Sequence, residues 1–318
     1  MNQTTTVVLA GGLGNQLFQF SAAFALGGEG EIHLDQSLGN PRISQDGDPE
    51  ISNFILPGHI SFLGLRRRSW LARKCVGFNI RARLSPKSYE KNIIVRTLIK
   101  ISTNIVIQFH FGSKLVLKIA KGLGYDLIGT LTGNTLLIGY FQSYKWADEE
   151  KIKSKILNIK LKKYSKEFAF LHNKILLDNP TIVHVRRGDY LQEDNFGVLS
   201  ESYYRLALTQ LSRETAVKKI WLFTDSQEEV ISVIPEDFRS KTFVVPNSRL
   251  SPSETLELMR YGSSYIIANS SFSWWGAYLR KNQLTSVYAP LKWFKGMNDP
   301  SELLPPDWRI VQLEHPFN

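Results

Sequence analysis

The heptapeptide HVRRGDY, residues 184–190, combines a histidine, two arginines and an aspartate that could act on a ligand. It overlaps an apolar stretch, residues 181–185, that predicts a buried strand. In open α/β sheets, ligands bind beyond the carboxyl ends of the strands. Arg186 and Arg187 suit a diphosphate at that place, because the planar guanidinium group bonds phosphate oxygens in pairs. Asp189 can orient an arginine or help to shape the turn.

His184 and Arg186 lie two residues apart, so they share one face if the strand continues past Val185. The alternative is a buried structural ion pair between an arginine and Asp189. That alternative leaves the second arginine without a counter-charge, which is unfavourable away from water. The pattern therefore favours a ligand site with a cationic centre.

A glycine-rich segment, GGLGNQLFQ at residues 11–19, lies between a predicted strand and a predicted helix. Gly12 and Gly14 let the backbone approach a ligand, and a helix N-terminus attracts anions. Asn15 and Gln16 add hydrogen-bonding groups that could contact a sugar. Capping of the helix by Asn15 is the simpler alternative.

A dinucleotide-binding loop is the main rival for this segment. Asp35 lies about 20 residues further on, where a ribose-binding acid is expected. Leu17 argues against this rival, because it stands where that fingerprint needs a third glycine for close packing of helix on strand.

Metal-binding patterns are weak in this sequence. Asp46 and Asp48 have the D-x-D spacing with which some transferases hold a divalent ion, but the surrounding proline and glycine predict a turn. No cluster of cysteine and histidine suggests zinc. These residues therefore predict no metal site.

Two further motifs follow predicted strands in the second half of the sequence. In FTDS, residues 223–226, Asp225 could accept hydrogen bonds from a base or ribose, or cap the next helix. In NSSFSWWGAYL, residues 269–279, a run of hydroxyls at a helix start predicts a phosphate cradle made by Ser270, Ser271 and Ser273. The two tryptophans of that motif, Trp274 and Trp275, are expected to pack the helix on the sheet.

The elements that must position these motifs alternate between strands and helices, which is typical of a parallel α/β sheet. Predicted strands cover residues 4–10, 31–35, 136–140, 181–185, 219–223, 242–245, 265–268 and 286–289. Predicted helices cover residues 15–26, 152–171, 202–211, 227–233, 252–260 and 273–281. Residues 36–130 or so are predicted to form an irregular and helical insertion. A join near residue 172 divides the 318 residues into two domains of ordinary size, 1–172 and 173–318.

Composition limits the class of protein. Cys75 is the single cysteine and argues for a reducing compartment. We find no secretory signal and no run of about 18 apolar residues, so a cytoplasmic location is expected. The net charge of +10 lies in clusters that could meet phosphate-bearing substrates, anionic lipid or nucleic acid. No nucleic-acid-binding module is visible.

In this order, GGLGNQLFQ, HVRRGDY, FTDS and NSSFSWWGAYL resemble the α-1,2-fucosyltransferases, an inverting family with bacterial and animal members. GYFQSYKWA, residues 139–147, is similar to a G-Y-F-Q-S segment that the family has near the middle of its sequences. The resemblance implies a B-type glycosyltransferase fold, in which two Rossmann-like α/β domains face a cleft. Residues 1–172 would form the acceptor side, and residues 173–318 would bind GDP-fucose. The implied reaction moves L-fucose from GDP-fucose, a co-substrate, to the 2-hydroxyl of a terminal galactoside, with inversion and without metal or cofactor.

The resemblance also implies roles for individual residues. Arg186 would hold the β-phosphate of GDP and, with His184 and Asp189, form the catalytic group. The implied donor-binding residues are Gly12, Gly14, Asn15, Gln16, Arg187, Asp225, Ser270, Ser271, Phe272 and Ser273. Family members often have a second acid where Ser226 stands, which weakens the implied nucleotide contact. No part of residues 36–130 matches the family, and acceptor choice is expected there.

Several functional alternatives stay open at this point. The linkage could be α-1,3 or α-1,6, or the donor could be another GDP-sugar. A basic nucleic-acid-binding protein and a Rossmann oxidoreductase are more distant rivals. A galactose-terminated acceptor built on a lipid carrier, as in surface polysaccharide or O-antigen synthesis, would fit a basic face that contacts the anionic inner face of the plasma membrane.

Overall fold

The protein divides into two compact units in a computed structural model. The structure describes residues 4–28, 30–63, 70–84, 93–111, 115–120, 122–129, 131, 133–192, 195–226, 230–246 and 249–317. The first unit consists of Met1–Lys160 with Pro300–Leu303, and the second of Leu161–Asp299 with Leu304–Asn318. The division therefore comes earlier than the join at residue 172 that the sequence predicts. Ser165 explains the difference, because its backbone N–H donates to the Glu254 carboxylate at 2.6 Å and ties the following helix to the second unit.

The described part of the first unit contains a five-stranded parallel sheet in the order β4-β2-β1-β6-β5. Its strands are β1 (Thr4–Val8), β2 (Glu31–Asp35), β4 (His59–Leu63), β5 (Leu115–Ile119) and β6 (Asn134–Ile138), and β3 (Phe54–Ile55) is a short strand outside this sheet. Its helices are α1 (Leu13–Gly27), α2 (Trp70–Leu84), α3 (Ile93–Phe111), α4 (Tyr144–Ala147) and α5 (Glu150–Leu157), with a 3₁₀ helix at Glu50–Asn53.

Strands β4 and β5 lie inside the segment for which the sequence predicts an irregular and helical insertion. Both strands occupy edges of the sheet. An edge strand is covered less completely than a central one, and β4 accordingly has no fully buried residue. The continuous apolar run that marks a buried parallel strand is therefore missing from its sequence.

The described part of the second unit contains a six-stranded parallel sheet in the order β10-β9-β8-β11-β12-β13. Its strands are β8 (Thr181–Val185), β9 (Ile220–Thr224), β10 (Thr242–Val244), β11 (Ser264–Ile266), β12 (Val287–Pro290) and β13 (Arg309–Val311), and the short β7 (Lys160–Leu161) precedes them. Its helices are α6 (Lys166–Asp178), α7 (Glu201–Glu214), α8 (Glu236–Arg239), α9 (Pro252–Met259) and α10 (Ser271–Tyr278), with 3₁₀ helices at Asp189–Gln192 and Val230–Val233.

Capping residues decide several helix boundaries. The single helix predicted over residues 152–171 is wrong: α5 ends at Leu157, and Ser165 starts α6 by accepting the Phe168 N–H at 3.1 Å. The predicted start of α9 is confirmed, because Ser251 and Glu254 form a capping box ahead of it. The helix predicted over residues 227–233 is a 3₁₀ helix where it is described, and residues 227–229 lie outside the described residues.

The core of the second unit is rich in aromatic side chains. Trp274 and Trp275 are fully buried, which confirms their predicted packing role. The Trp274 ring stacks on that of Tyr278, with their centroids 4.7 Å apart. Each unit is thus an α/β structure with a parallel sheet, and the predicted fold class is confirmed. No helix in the described ranges is both long and apolar enough to cross a membrane.

Candidate active site

The strand order of the second sheet reverses at β8, which places a topological switch point between β8 and β11. Sequence order runs from β8 through β9 to β10 in one direction, and then resumes at β11 on the other side of β8. Ligands of open α/β sheets bind outside the carboxyl ends of strands at such a point. HVRRGDY follows β8, FTDS follows β9 and NSSFSWWGAYL follows β11, so the fold brings these three motifs to one edge of the sheet.

Arg186 lies at the centre of this group. Its Nη2 atom is 2.6 Å from Asp189 Oδ1, and its Nη1 atom is 3.1 Å from Asp225 Oδ2. The guanidinium carbon lies 5.2 Å from the centroid of the Tyr190 ring. A guanidinium has five N–H donors, and these two ion pairs engage two of them. Its Nε atom is buried and has no hydrogen-bond partner among the described residues.

Asp225 holds the backbone of HVRRGDY in place as well as pairing with Arg186. Its Oδ1 atom accepts the Arg187 N–H at 2.9 Å. Gly188 is required beside it, because a Cβ atom at that position would lie 2.3 Å from Asp225 Oδ2. The sequence left a ligand contact and a helix cap as equal alternatives for Asp225. The structure shows a further role, which is to position the arginine-bearing loop.

His184 is buried beneath the arginine and is held neutral. Its pKa is lowered to about 3, mainly by burial and partly by the Arg186 charge, while Asp225 opposes that shift. Its Nδ1 atom has no hydrogen-bond partner among the described residues. The Phe272 ring lies 5.9 Å away, and the Tyr204 hydroxyl donates to the His184 carbonyl oxygen at 3.3 Å. A neutral imidazole with an unsatisfied nitrogen can still exchange a hydrogen bond with a ligand.

The depressed pKa of His184 predicts a pH dependence of stability. Between pH 6.5 and about 3, the unfolded protein binds a proton at this histidine and the folded protein does not. The contribution of His184 to the free energy of unfolding is therefore fully present above pH 6.5, and it is lost progressively as the pH falls towards 3. Urea unfolding from pH 7 to 4 should show a shallower loss of the free energy of unfolding in His184→Gln than in the wild type, by up to about 1.4 kcal/mol per pH unit.

His315→Gln, at an exposed position of the same unit, should keep the wild-type slope. Equal slopes in all three proteins would contradict a neutral buried His184.

The serines after β11 mostly stabilise the turn into α10. Ser270 is the N-cap, and its hydroxyl accepts the Phe272 N–H at 3.3 Å. The buried Ser273 hydroxyl lies 3.1 Å from the Ala268 carbonyl oxygen, to which it donates. Ser271 and Phe272 are half-buried at the start of the helix. The predicted phosphate cradle therefore consists of a capped helix start in which two of the three hydroxyls already have internal partners.

Sequence reasoning gave no role to Asn269 or Tyr190, although both lie within recognised motifs. Asn269 is fully buried, and its Nδ2 atom donates to the carbonyl oxygens of Phe196, Gly197 and Trp293. Its Oδ1 atom has no partner among the described residues. The Tyr190 hydroxyl donates to the Asn269 carbonyl oxygen at 3.1 Å and so joins the loops after β8 and β11.

The first sheet has its own switch point, between β1 and β6. The glycine-rich segment follows β1, and GYFQSYKWA follows β6. The two segments are joined by amide side chains: Gln142 Nε2 donates to Asn15 Oδ1 at 2.9 Å, and Gln19 Nε2 donates to the Gly139 carbonyl oxygen at 3.1 Å. Two segments far apart in sequence thus form a single loop structure at one edge of the first sheet.

Most polar groups of the glycine-rich segment are used internally. Gln16 is fully buried; its Nε2 atom donates to the Gly11 and Arg42 carbonyl oxygens, and its Oε1 atom accepts the Ile51 N–H. Gly12 and Gly14 lie at the N-terminus of α1, where Glu50 Oε2 accepts the Leu13 N–H at 2.7 Å. Burial raises the pKa of Glu50, although the Leu13 N–H and Arg42 oppose that rise. A protein carboxylate thus occupies part of the anion-binding end of this helix.

The acids that suggested rival functions stabilise loops. Asp35 Oδ1 accepts the Ser37 and Leu38 N–H groups at 2.8 and 3.0 Å after β2. Asp46 and Asp48 lie in the predicted turn, in which the Ser44 N–H donates to the Asp48 carbonyl oxygen at 2.7 Å. Within the described residues, no three carboxylate, histidine or cysteine side chains come together as a metal-binding group.

A parallel α/β unit with an arginine-centred group at its switch point is suited to binding a phosphate-bearing ligand. Comparison with known proteins agrees, because the profile of glycosyl transferase family 11 matches residues 137–299, just over half of the sequence. The chain belongs to this family, and the predicted resemblance to α-1,2-fucosyltransferases is confirmed at family level.

Two curated relatives from Escherichia coli align along most of the sequence. An α-1,2-colitosyltransferase is 27% identical over 297 residues, covering 90% of this chain and 91% of the relative. The O-antigen biosynthesis glycosyltransferase WbnK is 26% identical over 322 residues, covering 94% and 98%. Among solved structures, the NodZ α-1,6-fucosyltransferase from Bradyrhizobium aligns at 15% identity with a TM-score of 0.48, over 88% of this chain and 93% of that one.

Proposed function

We propose that this glycosyltransferase moves L-fucose from GDP-fucose to the 2-hydroxyl of a terminal galactoside, with inversion and without a metal ion. The single observation that carries the proposed binding of the donor's diphosphate is the position of Arg186, at the switch point of the second sheet with Tyr190 against its guanidinium. Family membership supports the reaction class, and the relatives' names support O-antigen synthesis as its setting.

The proposed chemistry is a single displacement. The oxygen of the acceptor hydroxyl forms a bond to the anomeric carbon, and the bond from that carbon to the β-phosphate oxygen breaks. GDP departs with the electron pair, while the hydroxyl proton passes to a base that we leave unassigned. The negative charge that develops on the diphosphate needs a preorganised cation. Arg186 fits this role, because Asp225 and Asp189 fix its guanidinium before any ligand arrives.

The same site explains how the other proposed donor-binding residues of the second unit would act. Arg187 adds a second cation one residue away, and Asp225 fixes its backbone at 2.9 Å. Ser271 and Phe272 lie at the start of α10, where backbone N–H groups favour an anion. In the first unit, Gly12 and Gly14 would let the backbone come close to the donor, and Asn15 would offer its side-chain amide. The buried Gln16 would act indirectly, by holding the loop in place.

A related donor is the second candidate, because one relative is named as a colitosyltransferase. As proposed, this site would bind a diphosphate, and none of its described residues selects among sugars. Transfer of fucose in a different linkage, α-1,3 or α-1,6, is the other alternative.

A donor and acceptor panel tests the proposal. Purified protein is incubated with GDP-fucose, other GDP-sugars or a colitosyl donor, together with terminal galactosides and matched 2-deoxygalactosides. We expect turnover with GDP-fucose, loss of product with every 2-deoxy acceptor, and an α-1,2 linkage in the product. We also expect activity to persist in excess EDTA. A different linkage, a preferred colitosyl donor or a strict requirement for Mg²⁺ or Mn²⁺ would each contradict a named part of the proposal.

A further inference from the structure

The excess positive charge of the protein comes from one stretch of the first unit, residues 64–121. Fourteen of the 39 lysines and arginines lie in this stretch, together with one of the 29 acidic residues. The rest of the sequence has 25 basic and 28 acidic residues and is therefore slightly acidic. Helices α2 and α3 come from this stretch and contain no aspartate or glutamate at all. The positive charge of the sequence is thus concentrated in residues 64–121, which include both helices.

The same two helices expose large apolar side chains. They pack against each other, and they bury Ala72, Val76 and Ile107 in the core formed with β1 and β6. Six other apolar side chains, 50–69% exposed, form what we name the α2–α3 face: Trp70, Leu71, Phe78, Leu98, Ile101 and Ile105. Exposed large apolar side chains concentrated on one helix pair are typical of an interaction surface.

Cations lie among these apolar residues. Lys74 Nζ is 5.6 Å from the centroid of the Trp70 ring, and the neighbouring Arg73 is exposed. On α3, Leu98, Ile101 and Ile105 are spaced at i, i+3 and i+7, so they line one side of the helix. Basic residues beside tryptophan, phenylalanine and leucine, with no acid between them, are typical of helices that lie in a membrane interface.

The other basic run of the sequence has a different character. Three acids, Asp148, Glu149 and Glu150, directly precede the lysines of α5, and Lys153 pairs with Asp148 at 2.6 Å. Lys155 covers the Phe24 ring of the core at 5.8 Å. Lys153 and Lys155 thus have partners within the first unit, and Lys151 is exposed to solvent. Positive charge and exposed apolar surface therefore coincide on the α2–α3 face and not on α5.

A cavity of about 970 Å³ adjoins the α2–α3 face. Ala10, Leu38 and Tyr140 line it at the carboxyl ends of β1, β2 and β6. Its opposite wall is formed by α2 and α3, and includes Trp70, Leu71 and Phe78 from the face itself. A surface that binds to the α2–α3 face would therefore lie next to this cavity.

We propose that the α2–α3 face docks on an anionic phospholipid bilayer. Trp70, Leu71 and Phe78 enter the boundary between headgroups and acyl chains, while Arg73 and Lys74 contact lipid phosphates. Charge complementarity favours this partner, because a face with cations and no acids is attracted to the negatively charged phosphates of an anionic bilayer surface. The docking does not depend on the proposed transfer reaction, and it would place the cavity where a lipid-borne acceptor could reach it.

Vesicle flotation tests this proposal without any nucleotide or sugar. The protein is floated with vesicles of phosphatidylcholine alone, or of phosphatidylcholine with 30% phosphatidylglycerol as the probe (a chosen composition, roughly that of a strongly anionic surface). We expect binding to the anionic vesicles that weakens as salt rises, and little binding to the neutral ones. Trp70→Ser/Phe78→Ser is expected to lower the partition coefficient at least about tenfold. Arg73→Gln/Lys74→Gln is expected to lower it about fivefold per cation, or roughly 25-fold.

Two control variants remove exposed apolar or basic side chains outside the α2–α3 face. Leu177→Ser/Leu284→Ser removes two exposed leucines outside the α2–α3 face, and Lys151→Gln/Lys162→Gln removes two exposed lysines of the other basic run. Both controls should bind vesicles like the wild type, and the melting temperature of every variant should stay within a few degrees of the wild-type value. No binding by the wild type, or equal losses in the face variants and their controls, would overturn the proposal. Because no donor is present, either result is independent of the outcome of the transfer assay.

Discussion

Replacing Arg186 with alanine is expected to lower kcat/KM by at least about 10²- to 10³-fold, the loss typical of removing one preorganised donor to a developing anion. The guanidinium is the cation at the switch point to which both Asp189 and Asp225 are bonded. In the proposed reaction, its removal would leave the departing diphosphate without that charge, and Asp225 would keep only its bond to the Arg187 N–H. Initial rates at several GDP-fucose concentrations measure the effect, together with GDP affinity by calorimetry.

Two further variants sharpen this test. Arg186→Lys keeps the positive charge but loses the planar guanidinium group that bonds two phosphate oxygens at once. We therefore expect it to retain more activity than Arg186→Ala but less than the wild type. Arg205→Ala removes an exposed arginine that pairs with Glu201 on α7, outside the site, and should leave kcat/KM unchanged. Wild-type kcat/KM in a folded Arg186→Ala protein would remove this residue from the mechanism.

The largest effect on stability is expected from Glu257→Ala, which should lower the free energy of unfolding of the second unit by about 3–5 kcal/mol. Arg260 is 1% exposed, and its Nη1 atom lies 2.6 Å from Glu257 Oε2. Its Nε atom donates to the Leu279 carbonyl oxygen at 2.9 Å. Without the carboxylate, this arginine would lose the negative partner that pairs with its buried charge. Urea unfolding followed by tryptophan fluorescence measures the loss.

The matched control removes a glutamate from an exposed ion pair in the same unit. Glu201 pairs with Arg205 on the surface, so Glu201→Ala should cost at most about 1 kcal/mol. Glu257→Gln should fall between the two, because the amide keeps an acceptor for Arg260 but loses the charge. Similar losses for Glu257→Ala and Glu201→Ala would show that the buried pair contributes no more than a surface pair.

The central strands of the second unit could be predicted from the sequence because their signals are local, whereas the edge strand β13 was not predicted. Apolar runs ending in motif residues predicted β8 and β9 to within a residue, and Ser251 with Glu254 marked the start of α9. The switch-point grouping of His184, Arg186 and Asp225 then follows from the order of strands in a parallel sheet.

The missed features depend on contacts between distant parts of the sequence. Glu50 bonds the start of α1 across 37 positions, and no periodicity or spacing indicates such a partner. Asp225, which fixes the Arg187 backbone, is likewise distant in sequence, 38 residues from its partner. Edge strands β4 and β5 were not predicted, because they are partly exposed and their sequences lack the continuous apolar run of a buried parallel strand. Local patterns thus predict which residues gather at a strand end, but not which carboxylate holds them there.

Asp189 has a consequence for the end of the catalytic cycle. It already bonds Arg186, and its own side chain is 48% exposed. In the proposed reaction, a diphosphate that binds Arg186 would have to share or displace this contact, and after transfer the carboxylate would compete with GDP for the guanidinium. Asp189 would then favour the release of GDP, and the inhibition constant of GDP measures how strongly it does so.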